Sequence, residues 1–361
     1  MIAILGAGHS GRAMAGDLAL RGAPVALWNR TAANVAVLRA RGGVEVEGEV
    51  EGFGRLRLVT DDLEQALNGA RLVVVCVPAF AHRELAERCA PFLCDHQIVV
   101  LNPGRTFGAL EFSRGLKAAE CTSGVLVAEA ATNLMTARST GPAQSYIARI
   151  KHAVPVAALR AERTPEVVAA LGEWYPQFTA AANTLETSFA NVGAVIHPAI
   201  TLLNAARIEN DQGRFEFYMD GISPRVAGVL EAVDRERKAV AALLGVEVQS
   251  LVEWLASAYR ATGSSLFEAV RANEGYRGIT APSTLAHRYI LEDVPMSLVP
   301  IASAGKAFGL NTRAIEALIF LAGLIMDTNF WTRGRTLETL GLAGLSPGEI
   351  RRIAETGSWD G

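Results

Sequence analysis

The first eleven residues, MIAILGAGHSG, constrain the fold more than any other stretch of the chain. Ile2 to Leu5 form an apolar run that predicts a buried parallel strand. The three glycines of a GxGxxG pattern follow that strand directly, at Gly6, Gly8 and Gly11. They allow a tight turn, a close approach of phosphate to the backbone, and close packing of the next helix on the strand. The stretch therefore predicts a dinucleotide-binding turn, with His9 and Ser10 beside the phosphates at the start of a helix.

The end of the predicted second strand, residues 25–28, bears on the choice of cofactor. An NAD site usually places an acidic residue there to hold the ribose 2′-hydroxyl. This chain has Asn29, Arg30 and Thr31 instead, a tip similar to the Asn-Arg-Thr of NADP-dependent 6-phosphogluconate dehydrogenases. A guanidinium can fork onto a 2′-phosphate, and the two flanking side chains can add hydrogen bonds. The tip thus favours NADP(H) over NAD(H), the alternative being a solvated Arg30 and NAD bound without an acidic partner.

Strand and helix patterns alternate as far as about residue 185, which predicts a doubly wound α/β domain over residues 1–185. Residues 72–77 form a β-branched run typical of a central strand, and strands near Ile147 and Val156 are expected to complete the sheet. Val77 and Pro78 would lie at a carboxyl end, where such sheets bind ligands, and are predicted cofactor contacts. His82 could contact a ligand there, although capping of the next helix is the preferred interpretation.

Composition excludes several other classes of protein. The net charge of −3 lacks the basic excess of a nucleic-acid-binding chain, and the four cysteines have no paired-motif spacing. Unpaired thiols and the lack of a charged leader favour a cytoplasmic protein. The longest apolar run, residues 317–326, is short of the ~20 residues that span a bilayer. It is read as core rather than as the face of a homodimer, and no membrane, nucleic-acid or metal partner is expected.

From residue 186 to 361 the period of the apolar residues becomes helical, which predicts an all-α second domain. Ser188 is predicted to cap a helix running from Phe189 to about Ile208, and Ser223 followed by Pro224 predicts another helix start. A cleft between a nucleotide-binding domain and a helical domain is a usual place for a substrate.

The second half contains only two histidines, and the first of them stands beside a proline inside a predicted helix, as His197-Pro198. This arrangement could shape a proton-transfer site, or His197 could be a satisfied core residue. Asp293, among apolar residues, could be a helix cap or a partner that holds the imidazole in one tautomer. Sequence spacing alone does not decide between these alternatives.

Several stretches, taken in order, resemble the NAD(P)-dependent opine dehydrogenases, the octopine/nopaline dehydrogenase family. The matching stretches after the glycine turn are Asn102-Pro103-Gly104-Arg105-Thr106, Ala128-Glu129-Ala130-Ala131-Thr132, Asn191-x-Gly193 with His197-Pro198, Phe217-Tyr218-x-x-Gly221, Arg288-Tyr289 with Glu292-Asp293-Val294-Pro295, and Gly334-Arg335-Thr336. The resemblance implies that His197 is the catalytic acid/base and Asp293 its partner. It also implies NAD(P)H-driven reductive condensation of an amino acid with an α-keto acid through an imine.

Two substrate carboxylates need cationic or amide anchors, and Thr132, Asn191, Arg277 and Arg288 are the predicted ones. A rival class is a reductase of a small keto acid similar to ketopantoate reductase or glycerol-3-phosphate dehydrogenase. Those families resemble this chain in plan but place a catalytic lysine in the helical domain, whereas here that half has only Lys238 and Lys306. A non-catalytic NADP(H) sensor on the same scaffold is a second alternative.

Overall fold

The computed structural model describes residues 1–359, which form two compact units. The first contains Met1–Ser188 together with the residues from Arg352 onward, and the second is Phe189–Arg351. The change of unit thus falls close to the predicted residue 185. The assignment of everything after residue 185 to the helical domain differs from the structure at the end of the chain, because Trp359 donates a hydrogen bond from Nε1 to Ser113 Oγ (3.3 Å) in the first unit.

The first unit alternates strands and helices along most of its length. Its strands are β1 Ile2–Leu5, β2 Val25–Trp28, β3 Gly43–Gly48, β4 Gly52–Arg55, β5 Leu58–Thr60, β6 Leu72–Val75, β7 Ile98–Leu101, β8 Leu126–Ala130, β9 Met135–Gly141, β10 Gln144–Ile150, β11 Val154–Ala158 and β12 Phe178–Ala180. Its helices are α1 His9–Leu20, α2 Ala32–Arg41, α3 Leu63–Leu67, α4 His82–Cys89, α5 Gly108–Ala118, α6 Thr164–Gly172 and α7 Thr184–Phe189.

Eight of these strands form the main sheet, in the order β12-β11-β8-β7-β6-β1-β2-β5. The six strands from β8 to β5 are parallel. Strand β11 runs antiparallel to β8, and β12 runs parallel to β11. Every residue of β1, β2, β6 and β7 is buried, as expected for apolar strands covered by helices on both faces. The structure therefore confirms the predicted Rossmann-like domain.

A second sheet of four strands, in the order β4-β3-β10-β9, packs against α1. The prediction that the strand near Ile147 completes the main sheet is wrong, because β10 pairs with β3 and β9 in this smaller sheet. The strand near Val156 does join the main sheet, as β11. Gly16 of α1 permits the contact, since a Cβ there would lie 2.5 Å from Val46 Cγ2.

The second unit is helical over most of its described length. Its helices are α8 Gly193–Leu203, α9 Ala205–Asp211, α10 Pro224–Leu243, α11 Leu251–Tyr259, α12 Leu266–Arg271, α13 Arg288–Leu291, α14 Val299–Ala307, α15 Arg313–Met326, α16 Phe330–Arg333, α17 Leu337–Leu340 and α18 Pro347–Thr356, the last of which continues into the first unit. A π-helical segment, Val294–Leu298, precedes α14. Ser223 caps α10 as predicted, with its side chain accepting a hydrogen bond from Val226 N.

The predicted helix start at Ser188 is wrong, since α8 begins only at Gly193. The Ser188 hydroxyl is used elsewhere: it donates to Glu129 Oε1 (2.7 Å) and accepts a hydrogen bond from Phe107 N (2.9 Å). Glu129 is buried and also accepts hydrogen bonds from the Thr187 hydroxyl and from Ala109 N. A buried carboxylate on β8 thus fixes the end of the first unit and competes successfully for the side chain that would have capped the helix.

Among residues 1–359, no single helix has both the length and the apolar composition needed to cross a membrane. The pairs Thr184–Leu203 with Ala205–Asp211 and Arg313–Met326 with Phe330–Leu340 meet those criteria only when two bent helices are counted together.

Candidate active site

The glycine turn of the first unit has the geometry that the sequence predicts. A Cβ on Gly11 would lie 1.8 Å from Gly6 O, so only glycine allows α1 to approach β1 this closely. Gly6 has a φ of +112°, and open space surrounds the position of a Cβ on Gly8. The first turn of α1 has no side-chain cap. An open backbone turn leading into an uncapped helix start fits the pyrophosphate of a dinucleotide.

Two predicted cofactor contacts also support the turn itself. Asn29 Oδ1 accepts a hydrogen bond from Ala7 N (3.2 Å), which ties the tip of β2 to the turn. His9 Nδ1 accepts one from Ser139 N (2.8 Å) on β9. Ser10 lies in the first turn of α1 and is half-buried. These side chains therefore shape the nucleotide turn, whether or not they also contact the cofactor.

Arg30 lies at the exposed tip after β2, with 67% of its side chain accessible. Its Nη1 is 3.4 Å from Glu84 Oε1 on α4, an ion pair between two exposed groups. Thr31 precedes α2 without capping it through its side chain. Because exposed ion pairs contribute little, the guanidinium can exchange Glu84 for a stronger anion.

The segment after β6 packs against the same turn. Val77 Cγ1 would lie 2.9 Å from a Cβ on Gly6, and Pro78 precedes a 3-10 turn at Ala79–Ala81. His82 is the first residue of α4 and is completely buried, so it does not act as the residue that caps this helix. Val77 and Pro78 are therefore at the expected carboxyl edge of the sheet.

In the second unit, the structure brings together the two predicted catalytic residues, which are 96 positions apart in sequence. His197 Nδ1 on α8 is 2.9 Å from Asp293 Oδ2, and the Asp293 side chain is fully buried. A carboxylate in its ionised form only accepts hydrogen bonds, so an ionised Asp293 requires the tautomer of His197 that carries its proton on Nδ1. The other ring nitrogen, Nε2, is then the atom that can exchange a proton with a reacting group.

Aromatic side chains surround this imidazole. Tyr289 stacks on the ring of His197 with 4.1 Å between centroids, and the Tyr218 hydroxyl is 3.2 Å from Nε2. Tyr276 in turn stacks on Tyr218 at 3.9 Å. Burial raises the pKa of Tyr218 well above its ordinary value, and neighbouring phenols and Asp293 act in the same direction. The phenol therefore keeps its proton and can donate it to a neutral Nε2.

Local backbone features leave room for the imidazole. A Cβ on Gly193 would lie 3.0 Å from His197 Cε1, which explains the need for glycine one turn before the histidine. Pro198 lies inside α8, and the helix continues through it to Leu203. Asp293 immediately precedes the π-helical segment, a feature that is frequent at functional sites.

The predicted substrate anchors have different surroundings. Arg288, on α13, forms an ion pair in which its Nη2 lies 2.8 Å from the buried carboxylate of Glu292, and its side chain is 43% exposed. Asn191 is buried, and its Oδ1 lies 3.5 Å from a Cβ on Gly193. Arg277 is exposed and paired with Glu274 (2.6 Å), and within residues 1–359 no contact joins it to His197. Thr132 belongs to the first unit, where its hydroxyl accepts a hydrogen bond from Lys151 Nζ (2.7 Å).

Tyr218 is the functional candidate that the sequence did not single out. It stood only within the matching stretch Phe217-Tyr218-x-x-Gly221, and no spacing rule places a phenol next to a histidine 21 residues earlier. Tyr289 likewise belonged only to the matching stretch Arg288-Tyr289. The signal available was the presence of a tyrosine in each of these two matching stretches.

A dinucleotide turn on a Rossmann-like sheet, with a histidine–carboxylate pair in a helical unit, defines an NAD(P)-dependent oxidoreductase. Residues 1–142 match a model described as NAD-dependent glycerol-3-phosphate dehydrogenase N-terminus, and residues 180–326 match one described as NAD/NADP octopine/nopaline dehydrogenase, alpha-helical domain. The opine dehydrogenase of Arthrobacter sp. (strain 1C) is 38% identical over 354 residues, 98% of each chain. This chain belongs to the opine dehydrogenase family.

More distant similarities extend over the same length. The protein ocs of Agrobacterium tumefaciens (strain Ach5) is 27% identical over 363 residues, covering 97% of this chain and 98% of that one. A solved octopine dehydrogenase with NADH and L-arginine superimposes with a TM-score of 0.80 at 20% identity, covering 100% of this chain and 98% of that one. The chain is thus an oxidoreductase that acts on a CH–NH group. It catalyses the reductive condensation of an amino acid with an α-keto acid.

The rival keto-acid reductases share the fold. A solved ketopantoate reductase from Ralstonia eutropha superimposes with a TM-score of 0.61 at 20% identity, covering 90% of this chain and 98% of that one. The two lysines of the second unit do not provide the active-site lysine expected of that class. Lys238 is paired with Glu253 (3.4 Å) and Lys306 is exposed.

Proposed function

We propose that His197 is the general acid/base of this reductive condensation and that Asp293 positions it. The observation that carries the proposal is the 2.9 Å contact between His197 Nδ1 and the fully buried carboxylate of Asp293. Such a contact holds the ring in one tautomer and stabilises the imidazolium that forms when Nε2 takes up a proton.

The proposed reaction consists of a condensation followed by a reduction. Condensation of the amine with the keto acid releases water and leaves an imine, and reduction of the imine leaves a secondary amine dicarboxylate. When bound, the nicotinamide cofactor would supply the hydride for that reduction, and the imine nitrogen takes up one proton from solvent through His197 Nε2. His197 Nε2 supplies a proton to the departing carbonyl oxygen and accepts one from the attacking amine. Tyr218, 3.2 Å from Nε2, either passes such a proton on or yields its place to the substrate.

For the substrates, we propose anchoring by Thr132, Asn191 and Arg288. Arg288 has further N–H donors besides the Nη2 group that faces Glu292, so its guanidinium can also bind a carboxylate. Arg277 is the weakest of the predicted anchors, because its partner Glu274 and its exposure are those of a surface ion pair. Nucleotide binding is assigned to the first unit and proton transfer to the second.

We propose that NADP(H) is preferred over NAD(H). Support comes from Arg30 at the tip of β2 and from the lack of an acidic residue among Asn29, Arg30 and Thr31. Glu84 is the acidic group nearest to the Arg30 guanidinium that the structure describes, and it lies on a separate helix.

Two features of the surface and the thiols support the remaining proposals. Phe320 and Leu324 of α15 are 68% and 65% exposed, while Leu318, Ile319 and Ala322 are buried. The predicted core position thus holds for one face of α15, and the other offers an apolar surface for a homodimer, which light scattering would test.

The four cysteines are free within the described chain, which fits the proposed cytoplasmic location.

The test is the replacement of His197 by alanine. We expect kcat for NADPH oxidation with a paired amino acid and keto acid to fall by roughly 10²–10⁴. Dissociation of NADPH, followed by fluorescence, should stay within about twofold, because the nucleotide turn belongs to the first unit. Asp293→Asn should reproduce much of the loss by leaving the imidazole in the wrong tautomer.

The control is His96→Ala, at an exposed histidine of the first unit before the amino end of β7, which should leave the rate unchanged. Turnover of His197→Ala within a few-fold of wild type would contradict the proposal. NADPH oxidation by a keto acid without any amine would instead favour the simple reductase.

A further inference from the structure

Lys151 lies at the edge of the main sheet where the nucleotide turn also lies. The strands β1, β6, β7 and β8 are parallel, so their carboxyl ends share one edge. Because β11 is antiparallel to β8, the chain just before β11 returns to that edge. Lys151 occupies this position, between β10 and β11, and its backbone N–H donates to Leu134 O (3.0 Å). Open α/β sheets bind their ligands at this edge.

The ammonium of Lys151 is half-buried and has a neutral partner. Its Nζ donates to Thr132 Oγ1 at 2.7 Å, and no carboxylate within residues 1–359 lies at ion-pair distance from it. The carboxylate of Glu49, which follows β3, accepts a hydrogen bond from Ile150 N (2.9 Å), the residue before Lys151. Taking a cation out of water without an anion is costly, and such arrangements are frequent in ligand sites.

A second cation reinforces the positive potential. Burial, and to a smaller extent the guanidinium of Arg105 on the loop after β7, lower the pKa of Lys151 to about 8. Arg105 itself is only 6% exposed. His152, the next residue along the chain, is exposed. The sheet edge beside β8 and β11 is therefore a place where an anion would stabilise the half-buried ammonium of Lys151.

The position of Lys151 identifies the kind of anion. Neighbouring strands are about 4.8 Å apart, which puts the ends of β8 and β11 roughly 14–19 Å from the glycine turn after β1. The pyrophosphate held by that turn is therefore not the anion in question. The substrates of the reaction both carry an α-carboxylate, and Thr132 was already a predicted anchor.

We propose that Lys151, together with the Thr132 hydroxyl, forms a subsite for an α-carboxylate of one substrate, the keto acid or the amino acid. The proposal rests on the proposed function. Lys151 is an anchor that determines affinity and specificity, and proton transfer remains with His197.

The test uses Lys151→Met, which keeps the length of the side chain and removes its charge. Initial rates are measured at varied keto acid with saturating amine, and the reverse, with NADPH saturating. We expect KM for one substrate to rise roughly 10- to 100-fold, the usual weight of a charged hydrogen bond, with kcat changed less than about threefold. The substrate whose KM moves identifies the carboxylate that is bound.

Two further variants separate charge from shape. Lys151→Arg should keep both KM values within about fivefold. We expect KM of wild type to rise above about pH 8, as the Lys151 ammonium loses its proton, and Lys151→Arg should shift that rise to higher pH. Lys306→Met, at an exposed lysine of the second unit, should change neither KM. Unchanged KM values in Lys151→Met, or a fall in kcat with both KM values retained, would overturn the proposal.

A direct measurement of pyruvate binding distinguishes failure of the Lys151 subsite from failure of the proposed role of His197. Pyruvate is titrated by calorimetry into wild-type protein and Lys151→Met, each loaded with NADPH. Weaker pyruvate binding by Lys151→Met supports the subsite even if His197→Ala proves active. Equal binding by the two proteins, together with unchanged KM for the amino acid, contradicts the subsite even if His197 is catalytic.

Discussion

The guanidinium of Arg30 has only an exposed carboxylate, that of Glu84, as its ion-pair partner in the described structure. A 2′-phosphate carries more charge and accepts a bidentate pair of hydrogen bonds, so it should displace Glu84 readily. The same guanidinium offers nothing specific to a 2′-hydroxyl. Cofactor choice is therefore expected to depend on this one side chain.

We predict that Arg30→Ala lowers kcat/KM for NADPH roughly 10- to 100-fold while leaving that for NADH within about threefold. The measurement is a pair of saturation curves, one for each cofactor, at fixed amino acid and keto acid. Arg88→Ala is the matched control, because Arg88 pairs with the same Glu84 carboxylate at 3.8 Å. If the NADPH/NADH ratio of Arg30→Ala equals that of wild type, NADP(H) specificity has another origin.

The sequence predicted several individual site residues but not the contacts between them. Both His197 and Asp293 were predicted, but their contact depends on how α8 meets the segment before the π-helical turn, which no spacing shows. The resemblance to a family supplied the pairing that the physical argument lacked. Tyr218 and Lys151 were missed as individual residues because each is significant only through a neighbour brought close by folding.

Helix α8 carries His197, and its first residue, Gly193, lies close to the imidazole ring. A Cβ on Gly193 would approach His197 Cε1 to 3.0 Å, a distance at which the ring has to shift by a few tenths of an ångström. The ring is already constrained by Asp293 on one side and by the stacked Tyr289 on a face. A shift therefore comes at the expense of one of these contacts.

We predict that Gly193→Ala lowers kcat by roughly tenfold, since small displacements of a catalytic group are costly, and leaves NADPH binding unchanged. Steady-state kinetics with both substrates saturating would measure it. Gly228→Ala on α10 is the control, because nothing lies within 4 Å of a Cβ there. It should keep wild-type kcat and stabilise the helix by up to about 1 kcal/mol. Equal kcat values in the two variants would show that the imidazole tolerates the added methyl group.

Elements governed by local chemistry were predictable, and those governed by tertiary competition were not. Ser223 caps its helix as expected, because its partner is the backbone N–H group of a residue three positions away. Ser188 has the same local pattern but is bound by Glu129, which lies 59 residues earlier. The strand at Ile147 has ordinary strand character, yet nothing local reveals that it pairs with β3 and β9 rather than with the main sheet.

Over the whole molecule, Lys151 represents a cost to stability that a ligand would offset. Its folded-state pKa of about 8 lies below its ordinary value of 10.5, so between these values the folded chain binds fewer protons than the unfolded chain. Stability therefore rises with pH across this window, and the cost of the buried cation is fully present below pH 8.

We predict that Lys151→Met raises Tm by roughly 2–4 °C at pH 6.5 and by less at pH 10, where the wild-type amine is mostly neutral in the fold. Thermal unfolding followed by circular dichroism at the two pH values measures it. Lys306→Met should show no comparable pH-dependent gain. A Tm that falls in Lys151→Met at both pH values would mean that the ammonium stabilises the free protein.

The return of residues 352–359 to the first unit has a consequence for any attempt to take the molecule apart. The indole of Trp359 bonds to Ser113 and lies beneath Arg114, and Glu355 accepts a hydrogen bond from Asn183. The helical unit is thus an insertion within the chain of its neighbour. Cutting after Ser188 would release a nucleotide-binding fragment stripped of part of its own packing. Grafting a new helical unit onto this scaffold calls for two splice points, and a circularly permuted gene that joins both parts of the first unit is the natural way to obtain it alone.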